Sequence, residues 1–292
     1  MPDFLVFTAI IPKLFCSKII LDLHDPMPEL YMSKYHVQEN NMTVRLLKYL
    51  ENQSVNFSDF ILTANPYFQK LFLARNPELK EKIAVILNCP DPKIFHSQRY
   101  VQNSKYFTLL YMGTIDERFN LELVIEALNI LKKKISHLKF IVIPKIDNEG
   151  PYFRKLKEKI SQYHLESQVI ISHPLPLEKI AIKLKQADIG IVLAKNGQFT
   201  ESIMPVKLLE FIAMEIPVIA TKTKILVQYF SDKMLYFLRE NSPEEISQVI
   251  YSFYKNKRLR MSLSKNAKIF LKKYNWKNEE IKYQKLIDYL IN

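Results

Sequence analysis

The sequence predicts an α/β protein built from parallel, doubly wound sheets. Short runs of β-branched and apolar residues alternate with helical segments along most of the chain. The chain has 292 residues, which is more than one average domain. Since parallel strands need crossover helices between them, this alternation indicates two domains, each a sheet covered by helices.

The second half of the chain shows the alternation most clearly. Strands are predicted at Thr108–Met112, Leu138–Ile143, Val169–Ile171, Ile189–Leu193, Val218–Ala220 and Met234–Phe237. Helices are predicted at Leu121–Lys134, Pro151–Tyr163, Leu177–Gln186, Pro205–Met214, Lys224–Tyr229 and Pro243–Tyr254, with two more towards the C terminus. This order is typical of a complete doubly wound domain, in which ligands bind outside the carboxyl ends of the strands.

The first hundred residues contain fewer such units. Ile19–Leu23 and Phe60–Ala64 have the composition of buried strands. The apolar stretch Phe4–Leu23 is interrupted by Pro12 and Lys13 and has no basic segment before it, which argues against a signal peptide or a membrane span. We expect it to form a strand, a short helix and a second strand.

Composition excludes several classes of protein. Hydrophobic residues make up 48% of the chain and charged residues 25%, which is ordinary for a globular protein. The only cysteines, Cys16 and Cys89, lie in no CxxC or Cys/His cluster, so we expect neither a disulfide scaffold nor a structural zinc site. A reducing, cytoplasmic location fits this usage.

The net charge of +12 is unevenly distributed. Residues 1–100 hold 11 lysines and arginines against 10 acidic residues, which leaves 31 against 20 for the remainder. Basic runs occur at Lys132–Lys134, at 154–159 and at 255–260. Most such runs are solvated helix faces; a phosphate-rich ligand and an anionic membrane surface are the functional alternatives. We discount nucleic acid, because the interleaved aromatic residues fit an amphipathic helix equally well.

The segment Pro205–Thr221 joins an apolar helix directly to a short strand. Lys207 and Glu210 are the only charges in the body of that helix, and their spacing of three places them on one face. A mutual salt bridge on a solvated edge is one interpretation. The other is a ligand site, because a charge that is buried must find a partner or a ligand.

This segment closely resembles the donor-binding segment of glycosyltransferase family 4, retaining enzymes of the two-domain GT-B fold that use nucleotide sugars. The family pattern is P-x-K-L-x-E-x-x-A-x-G-x-P-V-I-A, and here Glu215 occupies the position of its glycine. The resemblance implies two Rossmann-like domains, a phosphate contact for Lys207 and a ribose contact for Glu210. A helix N-terminus also suits an anion.

The loop after the strand 108–112 carries a second resemblance. Gly113 would allow backbone N–H groups close to a phosphate, and the residues that follow resemble the family's G-T-x-x-E-R-x-G-L-x loop. The resemblance implies that Arg118 reaches the donor diphosphate. A capping or surface role for Arg118 is the alternative.

Two further regions have weaker family counterparts. Many members carry a glutamate eight positions before the one matching Glu210; that position is Ser202, with Glu201 adjacent, so we assign the donor contact to the backbone there. His24 and Asp25 follow the strand 19–23 in a segment resembling D-x-H-D-x-x-P-E, which implies an acceptor-side catalytic role. A structural histidine is the alternative.

The family's first βα unit has no counterpart in the sequence, which suggests an incomplete N-terminal domain: a fragment, a mis-started reading frame or half of a split enzyme. We expect an acceptor-side domain at 1–103, a donor-binding domain at 104–273, and a C-terminal helix at 274–292, anchored by Trp276, that packs back on the first domain.

The resemblance implies a retaining, metal-independent hexosyltransferase without cofactors. Its partners would be a nucleotide-diphosphate sugar and a glycan or lipid-linked acceptor of cell-surface polysaccharide synthesis, at the inner face of the membrane. The alternatives are another GT-B enzyme, such as a sugar-nucleotide epimerase, and an inactive donor-binding module.

Overall fold

A computed structural model describes residues 3–97, 105–147, 150–197 and 199–291. The chain forms two compact units. The first comprises Met1–Asn88, Gly197–Met204 and Tyr274–Asn292, and the second comprises Cys89–Asn196 and Pro205–Lys273. The predicted boundary between residues 103 and 104 lies outside the described residues.

The first unit is built on three parallel strands that pair in chain order: β1 (Ile20–Leu23), β2 (Phe60–Thr63) and β3 (Ile83–Val85). Its helices begin with α1 (Ile10–Leu14), α2 (Met27–Tyr35), α3 (Met42–Phe57) and α4 (Pro66–Arg75). The central strand β2 is buried along its whole length. Phe60 and Leu62 belong to one apolar cluster and Ile61 to another, as the alternation of side chains along a strand requires.

A charged network lies inside the first unit. Arg75, the last residue of α4, donates one hydrogen bond to Glu29 of α2 at 2.7 Å and one to Glu51 of α3 at 2.8 Å. Both glutamates are buried. Burial raises the pKa of Glu51 to about 8, against the opposing charge of Arg75. The network therefore joins three helices, and burial makes one of its carboxyls bind its proton more tightly than usual.

The sheet of the second unit has six parallel strands. They are β4 (Phe107–Gly113), β5 (Leu138–Pro144), β6 (Val169–Ile171), β7 (Ile189–Val192), β8 (Val218–Thr221) and β9 (Tyr236–Leu238). Their order is β6-β5-β4-β7-β8-β9. All six lie within two residues of their predicted positions, and the predicted fold class is confirmed.

Helices connect these strands. They are α5 (Leu121–Leu131), α6 (Pro151–Gln162), α7 (Leu177–Leu184), α8 (Val206–Ala213), α9 (Lys224–Tyr229), α10 (Pro243–Lys255), α11 (Lys257–Ala267) and α12 (Ile269–Lys273). From β4 the chain runs outward to β6, then returns to place β7 on the other side of β4. This reversal makes the carboxyl ends of β4 and β7 the topological switch point, where open α/β sheets bind ligands.

The prediction for the first twenty residues is wrong in part. The expected first strand is instead a 3-10 segment, Asp3–Ala9, which leads into α1 and then β1. Val6 packs against the apolar core of the first unit, and the ring of Phe7 lies 5.2 Å from that of Phe57. A short apolar run has no periodicity that separates a strand from helical turns, so the sequence could not decide between them.

Three helices follow Tyr254 in the chain rather than the predicted two: α11, α12 and α13 (Trp276–Ile291). Lys268, between α11 and α12, keeps near-helical dihedral angles (φ −59°, ψ −20°). Because the backbone hardly departs from helical geometry there, the sequence gives no signal that separates α11 from α12. In α13 the buried residues are Glu279 and Leu286, whereas Trp276, the expected anchor, is 49% exposed. The carboxylate of Glu279 accepts a hydrogen bond from the N–H of Leu87.

Candidate functional site

The candidate site lies at the switch point of the second unit, where β4 ends in Gly113. This glycine has φ +128°, a conformation that strains any residue with a side chain. A Cβ atom built on it would lie 3.4 Å from the Lys207 ammonium nitrogen. The predicted requirement for glycine here therefore has two physical reasons, backbone conformation and close approach of a lysine.

Helix α8 brings Lys207 and Glu210 to this point. It begins at Val206, so Pro205 is the N-cap residue and not the first helical residue as predicted. The helix packs through its apolar face onto β7, and Gly190 makes this possible: a Cβ there would lie 2.6 Å from the Phe211 ring.

The C-terminus of α8 is closed by Glu215 in the left-handed conformation, with φ +58°. The N–H of Ile216 donates to the carbonyl of Phe211 and that of Glu215 to Ile212, which is a Schellman cap. Glu215 stands where the family pattern has glycine, so the cap keeps its geometry at the cost of backbone strain.

The ammonium group of Lys207 lies between two aromatic rings. It is 3.9 Å from the ring centroid of Tyr111 and 4.4 Å from that of Phe119. Within the described parts of the chain it has no hydrogen-bond acceptor and no ion-pair partner. Burial lowers the pKa of Lys207 to about 7, while the charge of Glu210 acts in the opposite direction.

Glu210 lies one turn further along α8. Burial raises its pKa to about 7, and the charge of Lys207 opposes this rise. Over the residues that the structure describes, the two side chains do not form the salt bridge that the sequence left as one interpretation. Both half-buried groups thus keep their hydrogen-bonding capacity for a ligand, and an anion near Lys207 would favour its charged form.

Arg118 has an internal partner. Its guanidinium donates to both carboxylate oxygens of Asp116, at 2.8 and 3.3 Å, and its backbone N–H is capped by the same carboxylate. The carbonyl of Arg118 accepts from the N–H of Lys195, in the loop after β7. In this structure the guanidinium of Arg118 is paired with Asp116, and its predicted contact with a diphosphate stays a prediction.

Asn120 ends this loop in the left-handed conformation, with φ +49°. It occupies the position of glycine in the G-T-x-x-E-R-x-G-L-x pattern, and asparagine is among the few residues that adopt this conformation readily. The loop therefore has the backbone of the family pattern without its second glycine.

The sequence did not indicate the two rings beside Lys207. Tyr111 is fully buried in β4, and its hydroxyl donates to the carbonyl of Thr114 at 2.5 Å. Burial raises the pKa of Tyr111, so the phenol is neutral. Phe119 follows Arg118 in a short 3-10 turn. The available signal was a pair of aromatic residues bracketing the loop after β4, but a tertiary contact with a helix far along the chain leaves no local pattern.

Glu201 and Ser202 belong to the first unit, in the segment Gly197–Met204. The N–H of Glu201 donates to the carbonyl of Gly197, and that of Ser202 to Phe199. The carbonyl of Ser202 accepts from the side chain of Asn65 at 3.1 Å. The predicted role as backbone donors to phosphate would require these turn bonds to open, and it stays a prediction.

His24 and Asp25 lie in the first unit at the carboxyl end of β1. The His24 ring is more than half exposed; Nδ1 is 3.9 Å from the Asp22 carboxylate and Nε2 is 3.1 Å from the Asn88 amide nitrogen. The neighbouring Asp22 carboxylate raises the pKa of His24, with a smaller contribution from the charge of Asp25. The side chain of Asn88 thus contacts the ring that was predicted to act on the acceptor.

Two kinds of feature do not occur among the described residues, a metal-binding cluster and a membrane-spanning helix. No cluster of three or more histidine, cysteine, aspartate or glutamate residues with metal-binding geometry occurs among them. None of the helices in the same ranges combines the length and the apolar character needed to cross a bilayer.

Several solved structures share the fold of this chain. The chain matches HepE of Anabaena, solved with UDP-glucose, with a TM-score of 0.77 and 15% identity over 97% of this chain and 76% of that one. It also matches the C-terminal domain of LpcC, a group 1 glycosyl transferase of Francisella tularensis, with a TM-score of 0.55 and 21% identity over 64% of this chain and 99% of that one. These identities establish the fold alone.

Curated sequences give a consistent result. An uncharacterized glycosyltransferase of Methanocaldococcus jannaschii, MJ1069, is 26% identical over 63% of this chain and 45% of its own length. WcaL of Escherichia coli K12, provisionally assigned to colanic acid biosynthesis, is 24% identical over 64% of this chain and 50% of its own length. The chain spans about half the length of these relatives. The family model "Glycosyl transferases group 1" matches residues 73–270, more than half of the chain, which therefore belongs to that family.

Proposed function

We propose that this chain transfers a sugar from a nucleotide-diphosphate sugar to a glycan or lipid-linked acceptor, as a retaining enzyme of glycosyltransferase family 4. The observation that carries the proposal is the placement of Lys207 and Glu210 at the switch point of the second unit. Both side chains are half-buried, and neither forms a hydrogen bond or a salt bridge with another described residue. The names of the group 1 relatives and the UDP complexes of structural neighbours support the choice of donor class.

In this proposal the donor diphosphate binds beside Gly113 and the first turn of α8. The Lys207 ammonium neutralises phosphate charge, and the helix N-terminus adds partial positive charge. The Glu210 carboxylate accepts hydrogen bonds from the two ribose hydroxyls. These contacts fix the donor through its nucleotide, which does not change during the reaction.

Transfer breaks the bond between the anomeric carbon and the diphosphate oxygen, so negative charge develops on the leaving group. A cation already positioned there stabilises the transition state more than the ground state. Lys207 fills this role without a bound metal ion. His24 and Asp25 are proposed to contact the acceptor, and Arg118 is proposed to add positive charge beside the diphosphate once its bond to Asp116 rearranges.

The proposed setting is cell-surface polysaccharide synthesis at the cytoplasmic face of the membrane. The provisional assignment of WcaL to colanic acid synthesis supports this process. The excess of basic residues beyond residue 100 supports attraction to an anionic lipid surface.

The first test is thermal stabilisation of the purified chain by UDP-, GDP-, ADP- and dTDP-linked sugars. A ligand that binds the folded state must raise the unfolding temperature. Lys207→Ala and Glu210→Ala are expected to abolish the shift. Lys179→Ala and Glu178→Ala, which remove an exposed lysine and glutamate from α7, serve as matched controls.

The outcomes separate the candidate functions. A shift with one nucleotide that disappears in both site variants supports the donor site, and product analysis by NMR then reports transfer and the anomeric configuration. Inversion at the anomeric carbon would exclude a retaining enzyme. A shift that survives both site variants would place the nucleotide elsewhere and refute the proposal.

A further inference from the structure

The two rings beside Lys207 form a rigid wedge. The centroids of Tyr111 and Phe119 are 6.3 Å apart and the ring planes meet at 48°. The ammonium nitrogen of Lys207 lies within 4.4 Å of both centroids. A cation at such distances from a ring face is attracted by the ring's quadrupole.

Each ring is fixed by its own element, independently of the lysine. Tyr111 is buried in the central strand β4, with its hydroxyl bound to the carbonyl of Thr114. Phe119 lies in a turn that the Asp116 side chain caps, and the left-handed Asn120 closes it. The two rings therefore belong to β4 and to the loop at its carboxyl end, whereas Lys207 reaches them from helix α8.

Aromatic rings hold an ammonium group differently from a carboxylate. They attract its charge but leave its three N–H donors available, because a ring face is a weak acceptor compared with oxygen. A carboxylate beside the ammonium group would accept hydrogen bonds from those N–H groups and neutralise the charge. Among the described residues Lys207 has the rings and no such oxygen partner, so its donors stay available to a ligand.

We propose that Tyr111 and Phe119 are positioning residues, a two-ring seat that holds the Lys207 ammonium beside Gly113. Held in this way, the N–H groups of Lys207 stay available to the diphosphate of the nucleotide sugar. The proposal rests on the function proposed above and adds to it how the lysine is kept in place. Charged groups near this site are Glu210 on the same helix as Lys207, and the paired Arg118 and Asp116; the Arg118 guanidinium lies 5.7 Å from the Phe119 ring.

The experiment compares Phe119→Leu, which keeps an apolar side chain without a ring, with Phe119→Tyr, which keeps the ring. Lys207 is labelled with trace acetic anhydride at a series of pH values, and mass spectrometry of its peptide gives the midpoint of amine protonation. This measurement needs no ligand. UDP affinity is then measured by calorimetry on the same proteins, with Lys179, an exposed lysine of α7, as the internal labelling reference.

Loss of the ring removes an attraction for the charged form only, so Phe119→Leu is expected to lower the labelling midpoint by about half to one pH unit. It is expected to weaken UDP binding on the order of tenfold, and Phe119→Tyr to restore both values. A midpoint in Phe119→Leu that is unchanged or raised would overturn the seat, provided that circular dichroism shows a folded protein.

The two proposals fail in different ways. If UDP, GDP, ADP and dTDP all fail to bind the wild-type protein, the donor role of the seat is overturned together with the proposed function, whatever the midpoints show. If UDP binds equally well to all three proteins while the midpoints differ, the rings hold the lysine without positioning it for the donor, and only the further inference is overturned.

Discussion

Gly190→Ala tests whether contact between β7 and α8 positions the candidate site. The added Cβ would lie 2.6, 2.7 and 2.8 Å from three ring atoms of Phe211. Carbon atoms normally approach to about 3.5–4.0 Å, so α8 or the ring must move by about 1 Å. Overpacking of this kind costs about 1–3 kcal/mol, which corresponds to a fall in Tm of about 2–10 °C for a chain of this size.

The same displacement should weaken function, because Lys207 and Glu210 lie on the helix that must move. A shift of about 1 Å at a binding group can reduce activity by about a hundredfold. Thermal unfolding and UDP titration therefore report the two consequences separately. We expect both the Tm and the affinity to fall in Gly190→Ala.

A double-mutant cycle identifies the cause. Phe211→Leu removes ring atoms that the new Cβ would meet, so the cost of Gly190→Ala should be much smaller in that background. If Gly190→Ala costs the same in both backgrounds, or costs nothing, the close contact between β7 and α8 does not control the position of the helix.

Three further predictions concern charge and strain. At pH 8 a pKa of about 7 leaves Lys207 mostly neutral, so the binding of a nucleoside diphosphate should be accompanied by the uptake of as much as one proton. Calorimetry in buffers of different ionisation enthalpy should detect this proton uptake, and Lys207→Met should abolish it. The raised pKa of Glu51 means that the folded state binds the Glu51 proton more tightly than the unfolded state does, so this contribution to stability is lost as the pH rises from 4.5 through 8. Glu51→Gln should therefore flatten the dependence of Tm on pH in this window. An identical slope in the variant would contradict the assignment. Glu215→Gly should raise stability by about 0.5–1 kcal/mol, since the relief of left-handed strain outweighs the exposed contacts of its carboxylate, which include Lys268 and Ser97; a lower Tm would show that these contacts outweigh the strain.

The sequence predicted the second unit well, because fully buried parallel strands give continuous apolar runs that are easy to recognise. β6 and α9 have the bounds that were predicted. Lys207 and Glu210 stood out for a similar reason, as isolated charges in an apolar helix. These are properties of single elements, and a local pattern is enough to find them.

The surroundings of the two charges were less accessible. The seat for Lys207 depends on contacts between α8 and rings near β4, and no local periodicity records such contacts. The pairing of Arg118 with Asp116 joins residues only two positions apart, yet many side-chain arrangements are compatible with that spacing. The N-terminal segment Asp3–Ala9 was misassigned because apolar residues suit a strand and a 3-10 segment equally.

The first unit consists of three separate segments of the chain, and this limits how the protein can be divided into fragments. The chain passes from one unit to the other four times, after Asn88, Asn196, Met204 and Lys273. A fragment ending at Asn88 would lack Glu279, whose fully buried carboxylate accepts from Leu87, and also Leu286, which packs with Phe60 and Leu62. No single proteolytic cut or truncation can therefore release either unit whole, and excision of the second unit would need the ends at Asn196 and Pro205 to be rejoined by a new linker.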